Sequence, residues 1–385
     1  MSMLLDKISN LFKEKYSTSG AVFAAPGRVN LIGEHTDYNL GFVLPGAIDK
    51  AIFLEIRLNG TDSFNVASVD FNEETTFKAD GQKSSYSWAN YIIGVIMEIK
   101  EISGKVSQGF DCVFGGNVPL GGGMSSSAAL ESAFAFAINE LNGFGLSKME
   151  LAKVGQMAEH HYAGVRCGIM DQFASLHGEE GKLMKLDCRS LEYELVPFKL
   201  QDHKVILLDT NVKHSLASTE YNVRRGQCEE GVAAIAKRHP EVHSLRDVTP
   251  EMLEEVRSEV DPVTMMRCEY VVEENIRLSN ACKALAAGDI QTFGKEMFGS
   301  HEGLSKKYAV SCQELDFLVD IAKSTPGVIG SRMMGGGFGG CTISVVANEV
   351  HDQFVQNATV EFEKQFGQKP LVYDVVISSG ARRLS

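Results

Sequence analysis

The chain has 385 residues, of which 44% are hydrophobic and 23% charged, and carries a formal net charge of −13. At about 150 residues per domain this length predicts two domains. The composition is that of an ordinary globular protein, which excludes disorder, collagen and a disulfide miniprotein. No apolar run approaches the ~18 residues of a membrane helix, and the acidic balance argues against nucleic acid, whose binders present a basic face. An anionic substrate would need a local attracting patch against this global field. The eight cysteines (Cys112, Cys167, Cys188, Cys228, Cys268, Cys282, Cys312, Cys341) include no C-x-x-C pair, so neither a zinc ribbon nor a thioredoxin-type site is signalled. Scattered thiols fit a reducing compartment, and the expectation is a cytoplasmic protein.

The chain opens with MSMLLDKISNLFKEKY, where Leu4, Leu5, Ile8, Leu11 and Phe12 recur at helical spacing between acidic residues. That is an amphipathic helix rather than a signal peptide. Residues 21–60 read as short strands around glycine-rich turns. A glycine–serine loop at 120–127 opens a helix from about Ser126 to Leu141. Ser147 with Glu150 forms a capping box for the next helix, whose apolar stripe is Leu151, Val154, Ala158 and Tyr162. KVILLDTN (204–211) reads as a buried strand. Helical patterns follow at 217–238, 264–287 and 312–323, then a strand at 341–347, a helix near 349–366 and a strand at 371–377. Strands and helices mix without strict alternation, which predicts an α+β fold. A boundary near 190–205 divides the chain into 1–195 and 196–385.

Glycine supplies 37 residues, above the usual ~7%, and the excess is clustered. In the loop Gly116 to Ala128 (GNVPLGGGMSSSA) three glycines and three serines precede a helix. Glycine lets the backbone approach a ligand and take positive φ, and a helix N-terminus offers free N–H groups and partial positive charge, which suits phosphate. No Lys-Ser/Thr follows, so the loop is not of the Walker type. In the second loop, Met334 to Cys341, Gly335, Gly337 and Gly340 formally fit G-x-G-x-x-G. A strand follows where the dinucleotide fingerprint needs a helix, so the loop is either a tight turn or a second backbone wall around the site.

The third feature, APGRVNLIGEHTDYN (25–39), packs Arg28, Glu34, His35 and Asp37 into ten residues. Three uses are open on chemistry alone: a metal site from Glu34, His35 and Asp37, hydrogen bonding to sugar hydroxyls, which both donate and accept, or a hydrogen-bonded turn.

GRVNLIGEHTDYN resembles the galactokinase signature. VPLGGGMSSSAALE resembles the phosphate loop of the wider superfamily of galactokinase, homoserine kinase, mevalonate kinase and phosphomevalonate kinase, and MGGGFGGCTI its third motif. CGIMDQF (167–173) and SLASTEYNVRR (215–225) match as well, and the five occur in the expected order. The resemblance implies a two-domain α+β small-molecule kinase with its active site between the lobes. It implies transfer of the γ-phosphoryl of ATP to the anomeric C1 hydroxyl of α-D-galactose, the first committed step of galactose breakdown, with Mg²⁺ as cofactor. The implied partners are galactose and ATP, on a chain expected to be a monomer. Asp171 matches the aspartate that acts on the C1 hydroxyl and Arg28 the arginine beside it. Glu34, His35, Thr36 and Asp37, with Gly168 and Tyr221, match the sugar-binding positions. Gly121, Gly122, Gly123, Met124, Ser125, Ser126 and Ser127 match the ATP phosphate loop, Ser68 and Trp88 the adenine side, and Ser127 and Glu159 the Mg²⁺-associated positions. His160 and His161 read as structural.

Two departures stand out. The third motif carries MMGGG where many members have a small polar residue and an alanine, and Gly303 stands where relatives often show serine. The resemblance also covers non-catalytic galactose sensors, which lose residues from the serine–alanine part of the phosphate loop. Here Ser125, Ser126, Ser127 and Ala128 are all present, which favours catalysis. A kinase for N-acetylgalactosamine or galacturonate is the third reading, since pocket width around C2 or C6 is not legible in the sequence.

Overall fold

A computed structural model describes residues 2–198, 200–212 and 217–385. In chain order the first part contains α1 (Ser2–Tyr16), β1 (Ala21–Asn30), β2 (Phe42–Val43), β3 (Pro45–Leu58), β4 (Ser63–Ser68), β5 (Glu73–Lys78), α2 (Ser87–Ser103), β6 (Phe110–Gly116), α3 (Ser126–Asn142), α4 (Lys148–Ala158), α5 (Met170–His177), β7 (Lys182–Asp187) and β8 (Tyr193–Pro197). The rest contains β9 (His203–Asp209), α6 (Ala217–Ile235), α7 (Pro250–Val256), α8 (Pro262–Ala286), α9 (Ile290–Glu302), α10 (Gln313–Ser324), β10 (Val328–Met333), β11 (Cys341–Ala347), α11 (His351–Phe366), β12 (Leu371–Val375) and β13 (Arg382–Arg383). The sheets run β13-β1-β3-β6-β4-β5, β10-β11-β9-β12 and β2-β7-β8. Every pairing is antiparallel except β4 with β6.

Helices cover both faces of the first sheet. Ile8 and Phe12 of α1 pack on Ala24, Phe53 and Val113. The opposite face carries α3 and α5, and Phe134 and Phe173 are fully buried there. In β9 the two-residue period of a strand divides the side chains between two cores. Val205 and Leu207 join the main core, while Ile206 and Leu208 pack with Leu318, Phe354 and Phe362 of α10 and α11. The main core therefore runs without a break from the first sheet to the second.

The short strands expected over 21–60 are instead mainly two long ones. Pro26 and Gly27 interrupt the sequence but not the strand, because β1 absorbs them in a register shift between Pro26 and Arg28 opposite β3. Such a bulge bends the strand and re-aims the residue after it. The capping box at Ser147 and Glu150 forms as its spacing predicts. The helix it opens, however, stops at Ala158, and a π-helical turn takes over Glu159–Ala163. The stripe that the sequence continues to Tyr162 is thus broken at Glu159. The small third sheet and α7 and α9 were not expected. α9 buries Phe293 and Met297 in the core and adds a glycine contact: a Cβ on Gly294 would lie 2.0 Å from the Ile329 carbonyl oxygen of β10.

That contact is testable by equilibrium urea denaturation. Gly294→Ala should force α9 off β10 and destabilise the protein by about 1–3 kcal/mol, the usual cost of overpacking. An unchanged midpoint would show that the two elements are not in backbone contact.

Candidate active site

The bulge at Gly27 points Arg28 away from the sheet. Its Nε donates to Asp171 Oδ1 at 2.7 Å and its Nη2 to Asp171 Oδ2 at 3.0 Å. This is a bidentate fork, the strongest geometry open to the pair. Its Nη1 donates to the Gly123 carbonyl, and its backbone N–H to the Met124 carbonyl at 3.1 Å. Asp171 lies in the first turn of α5, and Ser125 Oγ donates to its Oδ2. Ser125 is the residue before α3 and has φ +57°, a left-handed conformation that costs a non-glycine residue energy. The turn is held there by the bonds it makes.

Next to this pair lies a cleft of about 120 Å³ lined by Arg28, Glu34, His35, Asp37, Glu159, Cys167, Gly168, Asp171, Tyr221, Gly335 and Gly336, among others. It joins residues of both halves of the chain. Glu34 is almost fully buried, 3.2 Å from Arg332 Nη2, and accepts the Gly335 N–H at 2.8 Å. His35 has φ +61°. Burial pushes its ring down to about 3, so the imidazole is neutral. Asp37 is pushed up to about 7, first by burial and then by the charge of Asp171. Gly168 packs directly on it: a Cβ there would lie 2.0 Å from Asp37 Oδ2. The Tyr221 ring lies 5.2 Å from that of His35. Ser215 and Leu216 of the matching segment lie outside the described residues. Thr36 lies beneath the cleft and not in its lining, with its hydroxyl directed at the Gly33 and Phe42 carbonyls.

The two glycine loops touch. A Cβ on Gly123 would lie 3.1 Å from the Met334 carbonyl oxygen, and one on Gly335 3.4 Å from Gly123 Cα. The second loop packs its backbone on the first, and its Gly335 and Gly336 line the cleft. Within the first loop the Met124 side chain is fully buried. Ser127 Oγ donates to Glu159 Oε1 at 3.4 Å. Glu159 is pushed up to about 7 by burial and then by Asp171, and a cation would restore its charged form. Gln172 Nε2 bridges Glu159 Oε2 at 3.0 Å and the buried Glu131 at 2.8 Å. Among the described residues no three His, Cys, Asp or Glu side chains form a metal cage. An oxygen pair such as Ser127 and Glu159 fits Mg²⁺, which takes one or two protein ligands and fills the rest of its shell with water and phosphate.

Ser68 and Trp88 meet elsewhere, at Phe114 of β6. Ser68 pairs with Phe114 across β4 and β6, and the Trp88 ring is 5.3 Å from that of Phe114. Trp88 Nε1 donates to Glu73 at 2.6 Å. Neither residue lines the cleft. His160 donates to the Cys167 carbonyl at 2.7 Å and His161 bonds Glu98 at 2.8 Å, in agreement with their structural reading. Sequence reasoning missed Arg332, Gln172, Glu131 and Glu73. No strand is read at 328–333 in the sequence, so nothing there marks Arg332 as a buried residue of β10.

Residues 10–58 match the family model described as the galactokinase galactose-binding signature. Residues 90–179 match that of the GHMP kinases N terminal domain, and residues 281–363 that of the GHMP kinases C terminal. Fold and cleft are those of a GHMP kinase, a two-part small-molecule kinase. Galactokinase from Thermotoga maritima is 41% identical over 360 residues, covering 94% of this chain and 99% of the relative. That from Clostridium acetobutylicum is 37% identical over 390 residues, covering 100% and 99%. The crystal structure of Lactococcus lactis galactokinase complexed with galactose matches with a TM-score of 0.95 at 33% identity, over 99% of this chain and 100% of that one. A mevalonate kinase from Methanococcus jannaschii, at 18% identity and TM-score 0.66 over 94% of this chain and 99% of that one, shares the fold. The chain belongs to the galactokinase family.

Asp37 gives a pH-dependent prediction. Its folded pKa is raised, so the folded state binds the proton more tightly than the unfolded chain does. The stabilisation is present below the ordinary carboxylate range, near 4, and is lost as pH rises towards 7. Asp37→Asn should therefore raise Tm relative to the native protein at pH 8 and change it little at pH 5. An equal difference at both pH values would contradict a buried, destabilised carboxylate.

Proposed function

We propose that this chain transfers the γ-phosphoryl of ATP to the C1 hydroxyl of α-D-galactose, giving α-D-galactose 1-phosphate and ADP. Family membership and full-length likeness to galactokinases support the reaction. The observation that carries the residue roles is that one cleft joins the Glu34–Asp37 turn to the Arg28–Asp171 fork and the glycine loop. A carboxylate has about four lone-pair directions, and the Arg28 fork and Ser125 use three of Asp171's. The remaining one receives the C1 hydroxyl. The transition state of phosphoryl transfer is loose, so placing the nucleophile matters more than stripping it early. Asp171 holds the hydroxyl in line and takes its proton as the new O–P bond forms and the bond to ADP breaks. Arg28 holds the base and offsets charge gathering beside Gly123.

Glu34 and Asp37 accept hydrogen bonds from sugar hydroxyls, and Tyr221 and Gly168 close the pocket. An epimer that leaves one of these carboxylates unpaired is rejected strongly. The backbone of Gly121–Ser127 takes the phosphates, with Ser68 and Trp88 on the adenine side. Ser127 and Glu159 would hold Mg²⁺, which when bound neutralises phosphate charge. The division 1–195 and 196–385 is part of this reading. It is supported by the two larger sheets, which fall on either side of it apart from β13. Cytoplasmic residence is supported by eight unpaired cysteines. The intact bond from Ser125 to Asp171 favours an enzyme over a sensor.

A coupled ADP-release assay across galactose, glucose, talose, 2-deoxygalactose and N-acetylgalactosamine should show turnover with galactose and little with glucose. Turnover of none of them would defeat the reading. Asp171→Asn should lower kcat by about 10²–10⁴-fold, the scale of general acid–base catalysis, with galactose Kd changed only a few-fold. Near-native kcat would remove Asp171 from the chemistry. Glu159→Gln should raise the Mg²⁺ concentration needed for half-maximal rate, and an unaltered Mg²⁺ titration would place the ion elsewhere.

A further inference from the structure

Behind the cleft a file of four polar side chains runs from one core of the protein to the sugar-binding turn. His35 Nδ1 lies 2.7 Å from the Tyr38 hydroxyl, and its Nε2 3.2 Å from the Gly336 carbonyl oxygen. The Tyr38 hydroxyl is 2.7 Å from that of Tyr308, which is 3.2 Å from Cys228 Sγ. Tyr308 is fully buried and Cys228 nearly so.

The direction of each bond follows from counting hydrogens. A carbonyl only accepts, so His35 Nε2 carries the ring hydrogen. The ring is neutral, so Nδ1 has a bare lone pair. A phenol has one hydrogen, and that of Tyr38 must go to Nδ1. The Tyr38 oxygen can then only accept from Tyr308. Tyr308 has now spent its own hydrogen, so its oxygen accepts from the Cys228 thiol. Burial pushes that thiol up to about 11, which keeps the S–H in place at neutral pH. No other arrangement satisfies all four contacts with a neutral ring.

We infer that Cys228, Tyr308 and Tyr38 form a one-way hydrogen-bond relay that locks His35 as its Nε2–H tautomer, so that Tyr38 and Tyr308 are positioning residues for sugar binding. This rests on the proposed function, with His35, which lines the same cleft, meeting the sugar beside Glu34 and Asp37. The chemical consequence is a division of labour. When ionised, Glu34 and Asp37 only accept from sugar hydroxyls, and His35 supplies a donor for a hydroxyl oxygen. The opposite tautomer would turn a lone pair towards the cleft and against the Gly336 oxygen. The 3.2 Å reach to Gly336 is at the long end for N–H···O, so a sugar oxygen entering the cleft competes for the same hydrogen.

The fold braces this file. Tyr38 belongs to the 3-10 turn Asp37–Asn39, and Tyr308 follows the π-helical turn after α9. Arg224 on α6 donates from Nε to the Tyr308 carbonyl and from Nη2 to the Ala309 carbonyl, each at 2.9 Å. Tyr221, Arg224 and Cys228 are spaced i, i+3, i+7, so one face of α6 presents all three. That face touches His35 from the cleft through Tyr221 and holds the far end of the relay through Cys228.

The test uses the full chain labelled with ¹⁵N and long-range ¹H–¹⁵N NMR of histidine rings, with His35→Gln to assign the signals. The native protein should show His35 protonated at Nε2 and bare at Nδ1. Tyr38→Phe, which keeps the ring, should shift the Nδ1 signal or mix the tautomers and weaken galactose binding by calorimetry about tenfold, the scale of one lost buried hydrogen bond. Tyr38→Phe should affect kcat far less than Kd. A native Nδ1–H tautomer, or a Tyr38→Phe variant with native ring signals or native galactose Kd, would overturn the relay. Far-UV circular dichroism and melting confirm that each variant is folded, and Tyr308→Phe gives a second readout at Tyr38 should Tyr38→Phe not fold. The tautomer reading needs no sugar, so a chain inert towards galactose would defeat the proposed function while leaving the relay's own readout standing.

Discussion

The fork between Arg28 and Asp171 joins residues 143 positions apart, and the rest of the site is arranged around it. Three pieces of local geometry have to agree for it to form. The bulge at Gly27 re-aims the Arg28 side chain while Arg28 stays paired with β3. The left-handed turn at Ser125 brings a hydroxyl under the same carboxylate. The first turn of α5 presents that carboxylate with its helix N-terminus behind it, where a negative charge is favoured. Because Arg28 also holds the Gly123 carbonyl, it ties the backbone of the first glycine loop to the Asp171 carboxylate. The distance between loop and carboxylate is thereby set by one rigid guanidinium, which a flexible lysine would not reproduce.

Around this fork the protein buries more negative charge than its local cations match. Asp37, Glu159 and Glu131 are all shifted towards their neutral forms by burial. A fold selected for stability alone would place apolar residues there. On the proposed reading these groups await partners: sugar hydroxyls on one side, a divalent cation and phosphates on the other. Stability is given up where function needs unsatisfied groups. Arg332, fully buried in β10, works in the other direction. Its Nη1 donates to the Asn30 carbonyl at 2.7 Å and its Nη2 approaches Glu34, which fixes the end of β1 and the acidic turn together.

Much of this was legible in the sequence because the informative residues are local in the chain. The Gly121–Ser127 loop, the run Glu34–Asp37 and the Ser147 capping box each announce themselves by spacing, and the later strands fell close to their hydrophobic patterns. What was not legible depends on partners far apart in the chain. Nothing near Pro26 says that the strand passes through it, since the bulge is stabilised by β3. Nothing in the spacing near Glu159 says that its helix turns π-helical there. Arg332 and Gln172 gain their roles from residues hundreds or tens of positions away. Gly303, the departure noted in the sequence, also finds its reason only in three dimensions. A Cβ there would lie 2.8 Å from the Tyr270 ring, which in turn packs 4.7 Å from Tyr308.

The most direct measurement of the central claim is a crystal structure with galactose and a non-hydrolysable ATP analogue. The account predicts the C1 hydroxyl oxygen within hydrogen-bond reach of Asp171, about 3 Å, with the Arg28 fork intact and the terminal phosphate in line beyond it. A sugar that presents another hydroxyl to Asp171, or a fork that opens when both ligands bind, would contradict it.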